Sequence, residues 1–279
     1  MTVVTPRRPL RRRLRAFAPH LPLALVAVGT IFPFYVMVML SMRGGQQITL
    51  PGALVPAGLS FDAYEAMLGN PDLGRWMLNT LLYSVISVVL VLLISTTAAY
   101  VFAKKRFPGR TVLFWLIMST MMVPYHLTLI PQFLMISKMN GVDTLWGLIA
   151  PTLVNMFALF LMRQFIAGVP DELFEAARMD GAGEWRIFFR ILLPQLKPVM
   201  ATLSVFVFLW HWNDFLWPLV VTRTPGNYVI TVGLLSMFAK DASMAQTMAG
   251  AVITFVPIVI VYLILQKYFE RGTMTSGMK

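Results

Sequence analysis

Residues Leu78 to Ala103 read LNTLLYSVISVVLVLLISTTAAYVFA, a run with no charged side chain. As a helix rising 1.5 Å per residue it is about 39 Å long, more than a hydrocarbon core of about 30 Å requires. Five more apolar runs follow the same logic: Leu21 to Leu40, Thr111 to Ser137, Leu145 to Phe165, Val199 to Val221 and Gln246 to Phe269. The expected fold class is therefore all-α, a polytopic membrane protein with six transmembrane helices. Pro124 and Pro131 should both kink the third. Composition agrees, since 58% hydrophobic and 13% charged residues leave too little polar surface to cover a soluble globule of 279 residues. A net charge of +11 is compatible with nucleic acid, but the Lys and Arg sit mostly in short segments between the apolar runs. Membrane topology explains them, so membrane lipid is the expected neighbour and nucleic acid is not. With no Cys, disulfides and thiolate chemistry are excluded.

Basic residues orient the chain. Arg43, Arg75, Lys138, Arg223 and Lys240 fall on one side. The rest of the 23 Lys and Arg lie on the other, in the tail, in the 104 to 110 loop, in the insert after the fourth run with its flank from Arg163, and near the C-terminus. The crowded side is cytoplasmic, giving an N-in/C-in topology. The expected organisation is a basic cytoplasmic tail over 1–19, a six-helix transmembrane domain over 20–269 with a cytoplasmic loop at 167–197, and a cytoplasmic tail over 270–279. Arg7 and Arg8 could open a twin-arginine signal, but Leu21 to Leu40 is long enough to span and lacks an A-x-A cleavage site. On the outer side, Ser60 should cap a short interfacial helix from Phe61 to Leu68, with Tyr64, Met67 and Leu68 toward the membrane and Gly69 ending it. The apolar stretch Tyr228 to Phe238 either dips into the bundle or meets an extracytoplasmic partner, and the residues leave both open.

The longest charged insert is Val169 to Pro198, VPDELFEAARMDGAGEWRIFFRILLPQLKP. Asp171 and Glu172 put negative charge at a helix start, Ala176 and Ala177 favour helix, and Gly181 supplies a positive φ for the turn. A second helix from Glu184 should stop at Pro194. Two adjacent alanines let a backbone approach another surface, while Glu175, Arg178 and Asp180 can fix the contact. Phe188, Phe189, Ile191 and Leu192 should bury against the membrane domain.

Glu175-Ala176-Ala177, the Asp180-Gly181 pair and Ile191 with Leu193-Pro194 resemble the EAA loop, or EAA motif, of ABC transporter permease subunits from bacterial binding-protein-dependent importers. Phe107-Pro108-Gly109-Arg110, Trp212 to Leu219 and Gln266 to Gly272 look like the carbohydrate transport branch. Thr273 to Gly277 departs from its usual L-T-A-G-A run. The resemblance implies a multi-pass inner (cytoplasmic) membrane protein with a coupling helix near Pro170 to Gly181. Glu175, Ala176, Ala177, Arg178, Asp180, Gly181 and Pro194 would couple it to separate ATPase subunits. It also implies a second permease chain and an extracytoplasmic solute-binding protein, with a sugar or oligosaccharide as cargo, or glycerol 3-phosphate as the alternative. The chain lacks the G-x-x-x-x-G-K-[ST] phosphate loop. It therefore needs no cofactor of its own and is not expected to be an enzyme; ATP and Mg belong on the partner subunits. A secondary transporter or a membrane scaffold would explain the spans but not the Glu175 to Pro194 pattern.

Polar side chains inside spans are costly and mark pathway candidates. Asn155 stands in the fourth run, and Trp210, His211, Trp212, Asn213 and Asp214 cluster in the fifth. Indole faces stack on sugar rings and Asn or Asp can fork hydrogen bonds to vicinal hydroxyls. Asp214 lies about 22 Å up its run, where Trp belts are ordinary, so interhelical packing and interfacial anchoring compete with a pathway role.

Overall fold

The computed structural model describes residues 20–43, 58–239 and 242–274, with side chains described as far as residue 264. The basic tail over 1–19 and the departure at Thr273 to Gly277 fall wholly or mostly outside these residues. Fourteen α-helices are described: α1 His20–Ser41, α2 Asp62–Leu68, α3 Leu73–Lys104, α4 Arg110–Ser119, α5 Tyr125–Lys138, α6 Leu145–Ile149, α7 Met156–Ala167, α8 Asp171–Met179, α9 Glu184–Arg186, α10 Leu193–Gln195, α11 Lys197–Trp212, α12 Leu216–Val221, α13 Ile230–Phe238 and α14 Met244–Met274. Apart from one antiparallel bridge between Arg43 and Leu59, no strand pairing occurs among the described residues.

By internal contacts the chain divides into two units. The first holds α1, α2 and the start of α14. Tyr64 and Ser41 share a hydrogen bond at 2.7 Å between their hydroxyls. Ser60 Oγ accepts from the Asp62 amide at 3.0 Å, but it stands one residue before the cap position, which Phe61 occupies. Two more details differ from expectation. Met67 is fully buried, because it shares the i, i+4 face of Ala63, and Gly69 ends α2 in a right-handed conformation.

The second unit is built on α3, which packs along α7 and α11. Its buried face includes Thr80, Ser84, Ser87, Val91 and Ser95, small side chains at helical spacing that let neighbouring helices come close. His20–Ser41, Leu73–Lys104 and Met244–Ile264 are each long and apolar enough to cross a membrane alone. Three further segments qualify only as bent pairs: α4 through Met122 with α5 (102°), Leu145–Thr152 with α7 (50°) and Glu184–Gln195 with α11 (76°). Pro124 causes the first bend by forcing Val123 into extended backbone, ψ 118°. Pro131 is carried inside α5, so only one of the two expected kinks exists.

Two further expectations are corrected. The Val199 to Val221 run is not one helix: α11 ends at Trp212, and α12 begins only at Leu216. Pro194 does not stop the helix from Glu184. The turns widen into a π-helix over Ile187–Leu192, which accommodates the missing proline N–H, and the chain turns at Leu196 instead.

The loop before α6 is tied across the fold. Asp143, at φ 64°, accepts from the Arg223 amide (2.8 Å), the Thr224 amide (3.1 Å) and the Thr224 hydroxyl (2.8 Å), while its own amide donates to Val221 O. Desolvation alone would raise this carboxyl, but these donors hold it below the usual carboxylate range. The depressed folded value means that its stabilisation is complete above the unfolded carboxylate pKa and is lost as pH falls through the folded one. Asp143→Ala should cost about 1–2 kcal/mol at neutral pH. Thermal unfolding in detergent should show this difference shrinking as the pH drops below the ordinary Asp range.

Candidate functional site

Two regions of the second unit gather the singled-out residues. The first surrounds α8. Asp171 and Glu172 occupy its first turn, and its C-terminus is a Schellman motif: the Ala182 amide donates to Ala177 O at 2.9 Å and the Gly181 amide to Arg178 O at 3.0 Å, with Gly181 at φ 76°. Phe174 and Ala177, three residues apart, are buried in a core with Tyr100, Ile187, Phe188 and Leu192. Ala177 at 7% exposure therefore faces its own chain, while Ala176, Glu175, Arg178 and Asp180 face out. Pro194 is exposed as well.

Lys104, Lys105 and Tyr100, which the sequence did not assign to a site, complete this region. The Lys104 ammonium, at the end of α3, donates to Val169 O and to Asp171 Oδ1 (2.6 Å) and lies 5.1 Å from the Phe174 ring centre. Lys105 Nζ meets Glu184 Oε2 at 2.5 Å, Tyr100 Oη donates to the same oxygen at 2.8 Å, and Arg178 Nε stands 3.5 Å from Glu184 Oε1. Lys104, by its hydrogen bond and charge, holds the Asp171 carboxyl below the usual range; Lys105, then Tyr100, do the same for Glu184. The loop is thus clamped to the end of α3 at two points. A cleft of about 460 Å³ opens beside it, lined by Lys104, Arg106, Arg110, Asp171, Glu175 and Arg178.

Apolar side chains remain uncovered on this surface. Met179 is 89% and Trp185 71% exposed, and Trp185 stacks on the exposed Phe189 ring at 5.9 Å and 19°. Phe188 and Leu192 are buried as expected, Ile191 is half-buried, and Phe189 is not.

The second region is a cavity of about 580 Å³ where the bent segments meet. Asn155, Trp210, His211 and Asp214 line it. Tyr83, Tyr125, Gln132, Pro151, Thr152 and Val154 join them. Tyr83 Oη donates to Asp214 Oδ2 at 2.8 Å, and its ring meets His211 edge-on at 4.9 Å. His211 Nδ1 lies 2.7 Å from Val207 O, which can only accept, so that nitrogen carries a proton; Nε2 lies 3.0 Å from Thr152 Oγ1. Asn155 caps α7 through Oδ1, accepting from the Ala158 amide at 2.9 Å, which leaves its Nδ2 donors to the cavity. Trp210 is half exposed and braced edge-on by Phe157 at 5.9 Å.

Two of the candidates lie elsewhere. Trp212 is buried, with Nε1 donating to Thr254 O at 3.2 Å, and Asn213 turns its amide back to Leu209 O at 2.8 Å. Trp217 is also buried, donating to Gly147 O and Leu148 O. Trp212 and Trp217 are packed indoles with satisfied N–H groups, so these two side chains pack between helices. Gln132, Thr152 and the two tyrosines carried the same signal as Asn155, a polar group inside an apolar run.

A family model described as "Binding-protein-dependent transport system inner membrane component" matches residues 91–275. The arabinooligosaccharides transport system permease protein AraQ of Halalkalibacterium halodurans is 33% identical over 92% of this chain and 94% of its own. The sn-glycerol-3-phosphate transport system permease protein UgpE of Yersinia pestis is 34% identical over 95% and 98%. Among solved structures, a chain of a bacterial ABC transporter involved in the import of the acidic polysaccharide alginate superposes with a TM-score of 0.82 at 26% identity, over 95% of this chain and 100% of that one. A chain from an alginate transporter bound to an alginate pentasaccharide-loaded periplasmic protein shares the fold, with a TM-score of 0.65 at 18% identity over 95% and 96%.

Proposed function

The chain belongs to the family of inner-membrane components of binding-protein-dependent transport systems, and from that premise we propose that it is the permease subunit of an ATP-binding cassette importer for a sugar or oligosaccharide. ATP hydrolysis is assigned to separate subunits, with a second permease chain and an extracytoplasmic binding protein completing the assembly. Six crossings, three straight and three bent, with both termini and the 167–197 loop in the cytoplasm, fit the distribution of basic residues.

One observation carries the coupling assignment. Helix α8 is anchored through Phe174 and Ala177, and clamped by Lys104, yet presents Glu175, Ala176, Arg178 and Met179 outward beside Trp185. Such an element can be pushed as a rigid body, and the clamp passes the motion to α3 while the continuous chain passes it to α11. The double substitution Glu175→Lys with Ala176→Asp changes only the outward face. ATP-driven uptake should fall by at least about tenfold, a loss of more than about 1.4 kcal/mol of coupling. The ATPase should no longer co-purify in mild detergent, while the second permease chain still does. Normal uptake in this variant would remove the docking assignment.

A further inference from the structure

The cavity that holds Asp214 also has a sign. Asp214 Oδ2 accepts from Tyr83 Oη at 2.8 Å, the acceptor role that an ionised carboxylate fills. None of the described residues lining the cavity is Lys or Arg. Both nitrogens of His211 are committed to the wall, to Val207 O and to the Thr152 hydroxyl. What remains open to a solute is neutral: the Nδ2 donors of Asn155, the Oε1 acceptor of Gln132, whose Nε2 bonds Thr128 at 3.4 Å, and the braced indole face of Trp210. Donors, acceptors and one aromatic platform suit a polyhydroxylated ring. An anion would leave water to face a fixed carboxylate with no compensating cation.

We propose that this chain's part of the pathway accepts neutral saccharides and disfavours anionic solutes, phosphate esters and uronates alike. The proposal rests on the importer reading above and deepens it. Relatives handling a phosphate ester or an acidic polysaccharide do not decide the matter here, because the sign of this cavity is set by this chain's own side chains.

The absence of cysteine from the sequence supplies the test. Val154 lines the cavity and is well exposed, so Val154→Cys creates one reporter thiol in this chain of the assembled transporter in lipid nanodiscs. It would be modified with a cationic trimethylammonium-ethyl and an anionic sulfonatoethyl methanethiosulfonate, each rate divided by that for free cysteine. The cationic reagent should be favoured by about tenfold, within the range by which a charged cleft concentrates counter-ions. Adding Asp214→Asn should bring the ratio near one. Neutral arabinotriose should slow the modification and glycerol 3-phosphate at equal concentration should not. A ratio of one or below in Val154→Cys overturns the proposal, as do failure of both reagents to react, equal protection by glycerol 3-phosphate, or no protection by arabinotriose. If Asp214→Asn does not assemble, the ratio in Val154→Cys alone still decides. Failure of the importer reading would show separately, as absence of a co-purifying ATPase.

Discussion

Gly147→Ala should leave little folded chain in the membrane. A Cβ at this position would stand 1.9 Å from the carbonyl oxygen of Gly141 and 3.2 Å from Ile136 Cγ2. The first neighbour is backbone and is fixed from several directions. Thr144 Oγ1 donates to Gly141 O at 2.7 Å and accepts from the Gly147 amide at 3.2 Å, while the buried Trp217 indole donates to Gly147 O. Gly141 has no room to retreat either, since a point at its own Cβ position is 2.5 Å from Trp146 Cη2. One methyl group therefore requires α6 to move away from the loop that carries Asp143. Overpacking of this kind costs about 3 kcal/mol or more when backbone must shift. The readout is the monodisperse fraction by size exclusion in detergent, followed by thermal unfolding. Gly74→Ala is the control, because nothing lies within 4 Å of its Cβ position inside α3, and it should be neutral or stabilising by up to about 1 kcal/mol. Equal behaviour of the two variants would mean that the approach of α6 to the Gly141 loop is not tight.

Much of the architecture was legible because hydrophobic run length is a local property. The apolar runs became helices, Gly181 became the left-handed residue after α8, and Pro124 broke the chain. What escaped was non-local. The run from Val199 to Val221 resumes its apolar character at Phe215 after the polar His211, Asn213 and Asp214, so run length gave no sign that one helix would end at Trp212 and another begin at Leu216. Pro131 and Pro124 look alike in sequence, but only one lies where the chain turns. Of the cavity, Asn155, Trp210, His211 and Asp214 were found as polar or aromatic groups in spans. The pairing of Tyr83 with Asp214 needed the tertiary fold, because the two are 131 residues apart. The clamp escaped for the same reason: Lys104 and Asp171 are 67 residues apart, and Tyr100 and Glu184 are 84 apart. Lys104 and Lys105 were visible only as positive charge orienting a loop, and as carboxylate partners they do a second job.

Reversing one end of that clamp should uncouple the transporter without unfolding it. Lys105 and Glu184 are partly exposed, 31% and 51% at the side chain, so their ion pair contributes at most about 1 kcal/mol to stability. Lys105→Glu or Glu184→Lys alone should therefore still assemble and reach the membrane. The mechanical consequence is larger. Glu184 holds the segment after α8 to Tyr100 and Lys105 at the end of α3, and Arg178 of α8 to itself. With Glu184→Lys, three cations face one another and the loop should separate from α3. ATP-driven uptake is expected to fall about tenfold while ATP hydrolysis persists, the pattern of a broken transmission rather than a lost subunit. The double variant restores opposite charges and should recover most of the uptake, whereas additive losses would mean that the two residues act independently. The wild-type clamp should also survive mild acid. Glu184 is held below the usual carboxylate range by Lys105 and Tyr100, so its contribution is complete above the unfolded Glu value and fades only as pH falls through the depressed one. Uptake by proteoliposomes with the loop side buffered between about pH 6 and 8 should then show no loss traceable to Glu184. Wild-type coupling ratios in both single reversals would show that force reaches the spans by another route, through the continuous chain from the π-turn into α11.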